Sequence, residues 1–483
     1  MTIRINRLMQ LKTVIKKVEA LSYMINNLDL QSGLGRKILL ESYFMTDKEV
    51  IDRELNDVEK VRELLSVPRL NLFFDAVKRK LSQVKDVRNT VIRLSNNAVL
   101  EDIELFELKH LCILCYEIVR LIDEENIDLV QFPDILLVLD ILDPEKLRLP
   151  NFFIYDAYSE ELARLRKELK KERQLLGTIS QNDVETYKTQ EEKTDIIYQR
   201  SLNEEDKIRI RLSDQLSPHW KELLMALEMA ARLDNLIAKA AQATQMALTK
   251  PSIHENITSY KGIFHPQLKT ILESEQKRYQ PIDVALEKNP CLITGANMAG
   301  KTVLLKCLQL SQYLFQFGFF VPAQKAEIML VEDILTSMDD EQEELRGLSS
   351  FAAEILSIDR MIKTIRSGKN VLILIDELAR TTNPVEGSAI VNGMLDFLGE
   401  NKVQSIITTH YSGITAKSRK LRVKGFIETK VNEPLTKENI GDFIDYSLEE
   451  NREAVAPMEA LRVAKILNVD KAFMEKIDGY LKK

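Results

Sequence analysis

Residues 291–302 constrain this chain more than any other stretch. Cys291, Leu292, Ile293 and Thr294 make a short apolar run, and Gly295-Ala296-Asn297-Met298-Ala299-Gly300-Lys301-Thr302 fits G-x-x-x-x-G-K-[ST]. Val303, Leu304, Leu305, Leu308 and Leu310 then follow as a leucine-rich helical stretch. A strand that feeds a glycine-ended loop and then a helix turns the loop amides and the helix N-terminus toward an anion. Lys301 is placed to reach the β- and γ-phosphates of a nucleotide, and Thr302 to ligate Mg²⁺.

A phosphate loop needs an acidic partner at the end of a buried strand. Val371-Leu-Ile-Leu-Ile375 is a five-residue apolar run that ends in Asp376-Glu377. Asp376 is suited to hold Mg²⁺, mainly through water, and Glu377 to orient or deprotonate an attacking water. A third run, Ser405-Ile-Ile-Thr-Thr409, ends in His410, where an imidazole is placed to sense the γ-phosphate. Of the five histidines, only His410 has such a context; His110, His219 and His254 read as ordinary surface or helix residues. Cys112 and Cys115 have metal-like spacing but no second pair, and the apolar helix pattern around them predicts buried structural thiols.

Short apolar runs separated by helical stretches predict a mostly parallel α/β sheet after residue 255. Residues 1–255 read instead as mostly helix, although 483 residues alone would allow roughly three domains. Leu162, Leu165 and Leu169 form a narrow apolar stripe on a heavily charged stretch, as expected of a long exposed arm over about 156–176. Ser217-Pro218 reads as the start of a second arm over about 217–248. Between the arms lies a short polar tip, with an alternating run at 208–212 that predicts a strand. The fold class is therefore α plus α/β.

The net charge of −7 disfavours nucleic-acid binding over most of the surface but leaves room for a local basic track. Four cysteines, no apolar run of about 20 residues and no signal-like N-terminus predict a cytosolic protein.

Five stretches together resemble the ATPase domain of the MutS family of DNA mismatch-repair proteins, distant relatives of the ABC ATPases. They are Thr294-Gly-Ala-Asn-Met-Ala-Gly-Lys-Thr302, Phe320-Val-Pro-Ala323, Ser349-Ser350-Phe351 with Glu354, Asp376-Glu-Leu-Ala-Arg-Thr-Thr-Asn-Pro-Val-Glu-Gly387, and Thr408-Thr-His-Tyr411. Residues 458–481 are similar to the family's closing dimerisation helices. Ser32-Gly-Leu-Gly-Arg-Lys-Ile-Leu39 and Asp52-Arg-Glu-Leu-Asn-Asp-Val58 look like the start of its core and lever domain.

The resemblance implies a dimer, of like subunits or with a paralogue, with composite ATP sites. The loop residues Gly295, Ala296, Asn297, Met298, Ala299, Gly300, Lys301 and Thr302 would hold the phosphates, and Thr302 and Asp376 the Mg²⁺. Glu377 would activate water, His410 would read the γ-phosphate, and Ser349 or Ser350 would reach the γ-phosphate from the other subunit. ATP would thereby gate movement of the lever arms.

The chain departs from the family pattern at Ala296, Ala299 and Thr381. The resemblance also includes no mismatch-reading domain, no connector and no nuclease tail. Two clients are therefore expected of a chain like this one. The first is duplex DNA, in repair or recombination, with Arg164, Lys167, Lys170 and Arg173 as phosphate contacts. The second is a protein, since some short family members resemble this chain and are linked to reactivation of cobalamin-dependent aminomutases. No membrane association is expected.

Overall fold

The computed structural model describes residues 9–179, 183–295, 300–338, 350–380, 382–427, 443–451 and 469–481. Ala296, Asn297, Met298, Ala299, Thr381 and Ser349 lie outside them, as does the side chain of Ser350. The backbone forms two compact units. One takes in Met1–Leu28, Ser42–Glu59 and Ala241–Lys483, and the other Asp29–Glu41 and Lys60–Ala240.

The second unit is helical among its described residues. It holds α3 (Gly33–Glu41), α5 (Asn71–Leu81), α6 (Arg88–Ser95), α7 (Asp102–Glu124), α8 (Leu136–Leu142), α9 (Glu160–Leu176) and α10 (Val184–Leu216). It also holds the end of α4 (Lys48–Leu65) and most of α11 (Trp220–Gln245). The central helix α7 begins with a reciprocal capping box between Glu101 and Glu104. Its Leu105, Leu108, Leu111, Cys112, Cys115 and Ile118 are buried, so the paired thiols are core residues. Burial pushes the Cys115 thiol up to about 12 and that of Cys112 well above its usual value. Lys109 is fully buried in the same helix, and its ammonium bonds to Asp143 at 3.0 Å and to the Tyr155 hydroxyl at 2.8 Å. Ser32 caps α3 by accepting from the Gly35 amide at 2.8 Å, and Asp234 of α11 holds the turn before it by accepting from the Gln31 and Ser32 amides at 2.9 and 2.8 Å.

Helices α9 and α10 form a long pair. Ser159 caps α9 by accepting from the Leu162 amide at 3.3 Å. Residues 208–212, predicted as a strand, lie inside the 33-residue helix α10. Ile208 and Leu212 are buried, while Ile210 between them is 47% exposed, so the apolar side chains that matter are four apart. Arg209 supports the helix with ion pairs one turn back to Asp206 at 2.6 Å and Glu205 at 3.6 Å. The returning helix thus begins at Val184. Ser217-Pro218 forms a single 3₁₀ turn that follows α10 and leads directly into α11, so the predicted second long helix forms over Trp220–Gln245.

The first unit contains α1 (Leu11–Val14), α2 (Glu19–Asn26), most of α4, and two sheets. The smaller sheet has the order β1 (Ser252–Ile253), β5 (Lys325–Ile328), β2 (Ile257–Ile263), β3 (Ile282–Glu287), with α12 (Pro266–Ser274) between β2 and β3. The larger has the order β10 (Ile444–Glu450), β9 (Arg419–Phe426), β4 (Pro290–Thr294), β8 (Gln404–Thr409), β7 (Val371–Ile375), β6 (Asp333–Ser337). All of its pairings are parallel except β9–β10. Helices α13 (Lys301–Gln316), α14 (Ser350–Arg366) and α15 (Pro384–Glu400) are its crossovers, and α16 (Lys471–Leu481) follows it.

All five residues of β4 and of β7 are buried, as are all six of β8, which is why these runs read as continuous rather than alternating. Leu292, Ile373, Ile375 and Ile407 share a core with Ile358, Met361 and Ile365 of α14 and with Val391, Met394 and Leu395 of α15. The N-terminal segment packs into the same unit. Phe44 meets Tyr313 and Phe317 of α13 edge-on at 6.0 and 5.7 Å, and the Gln316 amide donates to Met45 O at 2.7 Å.

Candidate functional site

The strand order sets the site. Strands β4, β8 and β7 are parallel neighbours, so their C-terminal ends lie side by side. Those ends carry Gly295, His410 and Asp376-Glu377, residues far apart in sequence.

Gly295 is buried, and its carbonyl accepts from Lys301 Nζ at 2.7 Å. Gly300 caps α13 in the left-handed conformation, with φ 74°. A Cβ there would sit 3.1 Å from the Tyr446 ring, so glycine is needed for both the backbone turn and the close approach. Lys301 is 4% exposed, and its ammonium lies 4.0 Å from Glu377 Oε1. A buried ammonium at the base of the loop is placed to meet a phosphate.

Asp376 is the hub. Its Oδ2 accepts from the Thr302 hydroxyl at 2.5 Å, and its Oδ1 from the Thr408 hydroxyl at 2.5 Å. Its own amide donates to Ser337 O at 2.9 Å. Thr408 Oγ1 in turn accepts from the Glu377 amide at 2.8 Å. One hydroxyl of β8 therefore sets both acidic residues of β7. Thr302 is exposed, so its hydroxyl and one carboxylate oxygen face an open side of the loop. That is the hard oxygen donor set that suits Mg²⁺. No group of three or more metal-ligating side chains occurs among the described residues, so an ion here would take its remaining ligands from phosphate and water.

The turn after β7 is strained. Glu377 and Ala379 have φ of 49° and 62°, a region that costs a non-glycine residue about 1 kcal/mol or more. Three contacts over-determine it. Thr408 holds the Glu377 amide, the 7%-exposed Glu354 of α14 accepts from the Ala379 amide at 2.7 Å, and the Tyr411 hydroxyl donates to Ala379 O at 2.6 Å. Burial raises the Tyr411 hydroxyl pKa, and the Glu354 carboxylate adds to the rise, so the phenol stays a donor. Gly387 admits this ring, since a Cβ there would lie 2.4 Å from Tyr411. Glu377 itself is mostly buried and pairs with Arg380 at 3.3 Å. Asn383 caps α15 by accepting from the Val385 and Glu386 amides at 3.1 and 2.9 Å.

The structure thus brings together Gly295, Gly300, Lys301, Thr302, Asp376 and Glu377. His410 follows β8, is exposed, and meets the Tyr411 ring at 4.4 Å between ring centres, tilted by 38°. The serine pair and loop residues 296–299 fall outside the described positions. Sequence reasoning assigned no role to Thr408, Glu354 or Tyr446. Thr408 stood in the stretch Thr408-Thr-His-Tyr411, but its partner could be identified only once β7 and β8 were known to be neighbours.

The family model for MutS domain V matches residues 291–481. Among curated proteins, the chain is similar to the "Endonuclease MutS2" of Caldanaerobacter subterraneus subsp. tengcongensis, 32% identical over 230 residues, which is 47% of this chain and 28% of that protein. It is similar to the protein of the same name from Aquifex aeolicus, 33% identical over 218 residues, 45% of this chain and 28% of the relative. The corresponding protein of Carboxydothermus hydrogenoformans is 33% identical over 215 residues, covering 44% and 26% of the two chains. The matched part thus spans just over a quarter of the length of these relatives.

Proposed function

We propose, from the premise that this chain is a member of the MutS family through its matched C-terminal domain, that it binds and hydrolyses ATP and couples that cycle to duplex DNA. The observation that carries the ATPase reading is the Asp376 hub, in which one carboxylate meets the Thr302 hydroxyl of the phosphate loop and fixes Glu377 beside Lys301 through Thr408.

In this reading the loop residues 295–302 hold the phosphates, with Gly295, Gly300, Lys301 and Thr302 as their described members. Lys301 exchanges its bond to Gly295 O for the β- and γ-phosphates. Thr302 and Asp376 would hold Mg²⁺, which would neutralise charge developing on the phosphate oxygens. Glu377 takes a proton from water as the water oxygen bonds to the γ-phosphorus. The bond from that phosphorus to the β–γ bridging oxygen breaks, leaving ADP and inorganic phosphate. His410 stands by for the γ-phosphate and Ser349 or Ser350 for the site of a second subunit. Most of the acceleration is positioning and charge stabilisation.

The DNA reading draws on the family and on the α9–α10 pair. Lys170 and Arg173 line a groove there with Tyr198, whose ring lies 5.5 Å from the Arg173 guanidinium. Phosphate contact by such cations is sequence-independent and salt-sensitive. Nucleotide-driven movement of these helices, across a dimer, would link the two sites.

The test is the ATPase rate with and without duplex DNA at low and moderate salt, with Lys301→Ala as the blank. The expected result is a Lys301-dependent rate that DNA raises, and raises less as salt increases. A Lys301-dependent rate indifferent to DNA would overturn the DNA reading and favour a protein client. A rate that survives Lys301→Ala would overturn the ATPase reading.

A further inference from the structure

Gln280 lies two residues before β3, and its side-chain amide bonds to one short stretch of β10. Nε2 donates to Asp445 Oδ1 at 2.8 Å and to Ser447 Oγ at 3.3 Å, and Oε1 accepts from the Tyr446 amide at 3.2 Å. That stretch is irregular. Asp445 pairs with Gly425 and Leu448 with Val423, so β10 carries one residue more than β9 between these pairs. A bulge of this kind re-aims the side chains it contains. Here the re-aimed side chain is Tyr446, whose ring lies against Gly300 at the junction of the phosphate loop and α13.

Asp445 anchors the arrangement. Partial burial works against its charge, but bonds from Ser447 and Gln280 and the Lys424 ammonium 3.6 Å away hold its carboxyl down to about 2. It is therefore an acceptor whenever Gln280 donates to it. The amide donates a hydrogen bond to Asp445 through Nε2 while its Oε1 accepts one from the Tyr446 backbone.

We propose that Gln280 is a positioning residue for nucleotide binding, acting through the β10 bulge to hold the Tyr446 ring against the Gly300 turn. This rests on the reading that the loop takes a nucleoside triphosphate. Gln280 touches no phosphate itself. It fixes the wall of the loop at the point where the helix N-terminus begins, so its loss weakens affinity more than it slows chemistry at Asp376 and Glu377.

The test uses the full chain, a fluorescent ATP analogue for affinity and steady-state ATPase kinetics. Gln280→Glu keeps the acceptor for Tyr446 but places a second carboxylate against Asp445. Adding Asp445→Asn restores a donor–acceptor pair with its direction reversed. The expected result is a Kd about tenfold weaker for Gln280→Glu, with kcat at saturation changed by less than about threefold. The double variant should recover to within about threefold of the parent. Gln280→Met, which keeps the volume and loses all three bonds, carries the same expectation as the glutamate variant if that variant does not fold.

Parent-like affinity in Gln280→Met or Gln280→Glu, with binding still dependent on Lys301, would overturn the inference and leave the ATPase reading intact. Affinity, kcat and thermal midpoint falling together, with no recovery in the double variant, would reduce Gln280 to scaffold and also overturn it. No binding by the parent chain would overturn the ATPase reading itself.

Discussion

The parallel sheet and the α9–α10 pair solve the problem of holding charged side chains in opposite ways. Around β7 and β8, a continuous core of aliphatic side chains backs the strand ends, and Asp376 and Glu377 each have a partner with a defined direction. Along α9 and α10 a small apolar cluster of Leu165, Leu169 and Ile197 stands apart from the larger cores. The remaining cohesion comes from surface pairs such as Arg166–Glu205 at 2.9 Å, Lys193–Glu172 at 3.1 Å and Arg200–Glu161 at 3.4 Å. Exposed ion pairs contribute about 0–1 kcal/mol each and are screened by salt. The sheet is therefore built to fix geometry to a fraction of an ångström. The helical pair presents charge on a scaffold that can open locally at little cost.

The largest test of that contrast is on the sheet side. Glu377→Gln, nearly isosteric, should lower ATP turnover by about a hundredfold or more while nucleotide binding persists, as rapid-quench and binding measurements would record. A variant that lost binding and turnover alike would mean that Glu377 mainly supports Lys301. Next in size is Ile197→Ala. Removing one of three apolar anchors should destabilise the helical pair by about 2–4 kcal/mol. Amide exchange should speed up in 160–176 and 184–216 and stay unchanged in 371–375 and 404–409. Faster exchange in the strands would break the comparison, since the two regions would then share one cooperative core.

A smaller effect is expected from Thr408→Val, which keeps the shape of β8 and removes the hydroxyl that holds Asp376 and the Glu377 amide. Hydrogen bonds to charged groups of this kind contribute about 1.5–3 kcal/mol, so turnover should drop roughly tenfold to a hundredfold with little change in thermal midpoint. The smallest effect belongs to the helical surface. Lys170→Ala with Arg173→Ala should weaken duplex DNA binding several-fold and reduce the salt slope by about one per residue, leaving DNA-free ATPase untouched. An unchanged salt slope would take these cations out of the DNA reading.

The sequence was legible where its pattern had one physical solution. A run such as 371–375, apolar at every position and bounded by turn residues, fits a strand buried on both faces, and it forms one. The run at 208–212 alternates over only five residues, too few to separate a period of 2 from one of 3.6. Its neighbours decided the matter, because Ser201, Ile208, Leu212 and Leu216 all fall on one buried helical face. Likewise, Ser-Pro at 217–218 has the chemistry of a helix start, and nothing local reveals that a helix already ends there.

The same division holds for the site as a whole. The sequence by itself determined the chemical parts: a phosphate-loop pattern, a strand ending in two carboxylates, and a sheet of parallel strands to carry them. The first two are each encoded within about ten consecutive residues, where spacing and side-chain chemistry suffice, and the third in short apolar runs repeated along the chain. Only the tertiary structure decided that β8 lies between β4 and β7, that Thr408 governs both acidic residues, that Glu354 supports the strained turn, and that Gln280 reaches the bulge opposite Gly300. Those contacts join residues 25 to 165 positions apart. Strand order, which no local pattern specifies, brings them within hydrogen-bonding distance.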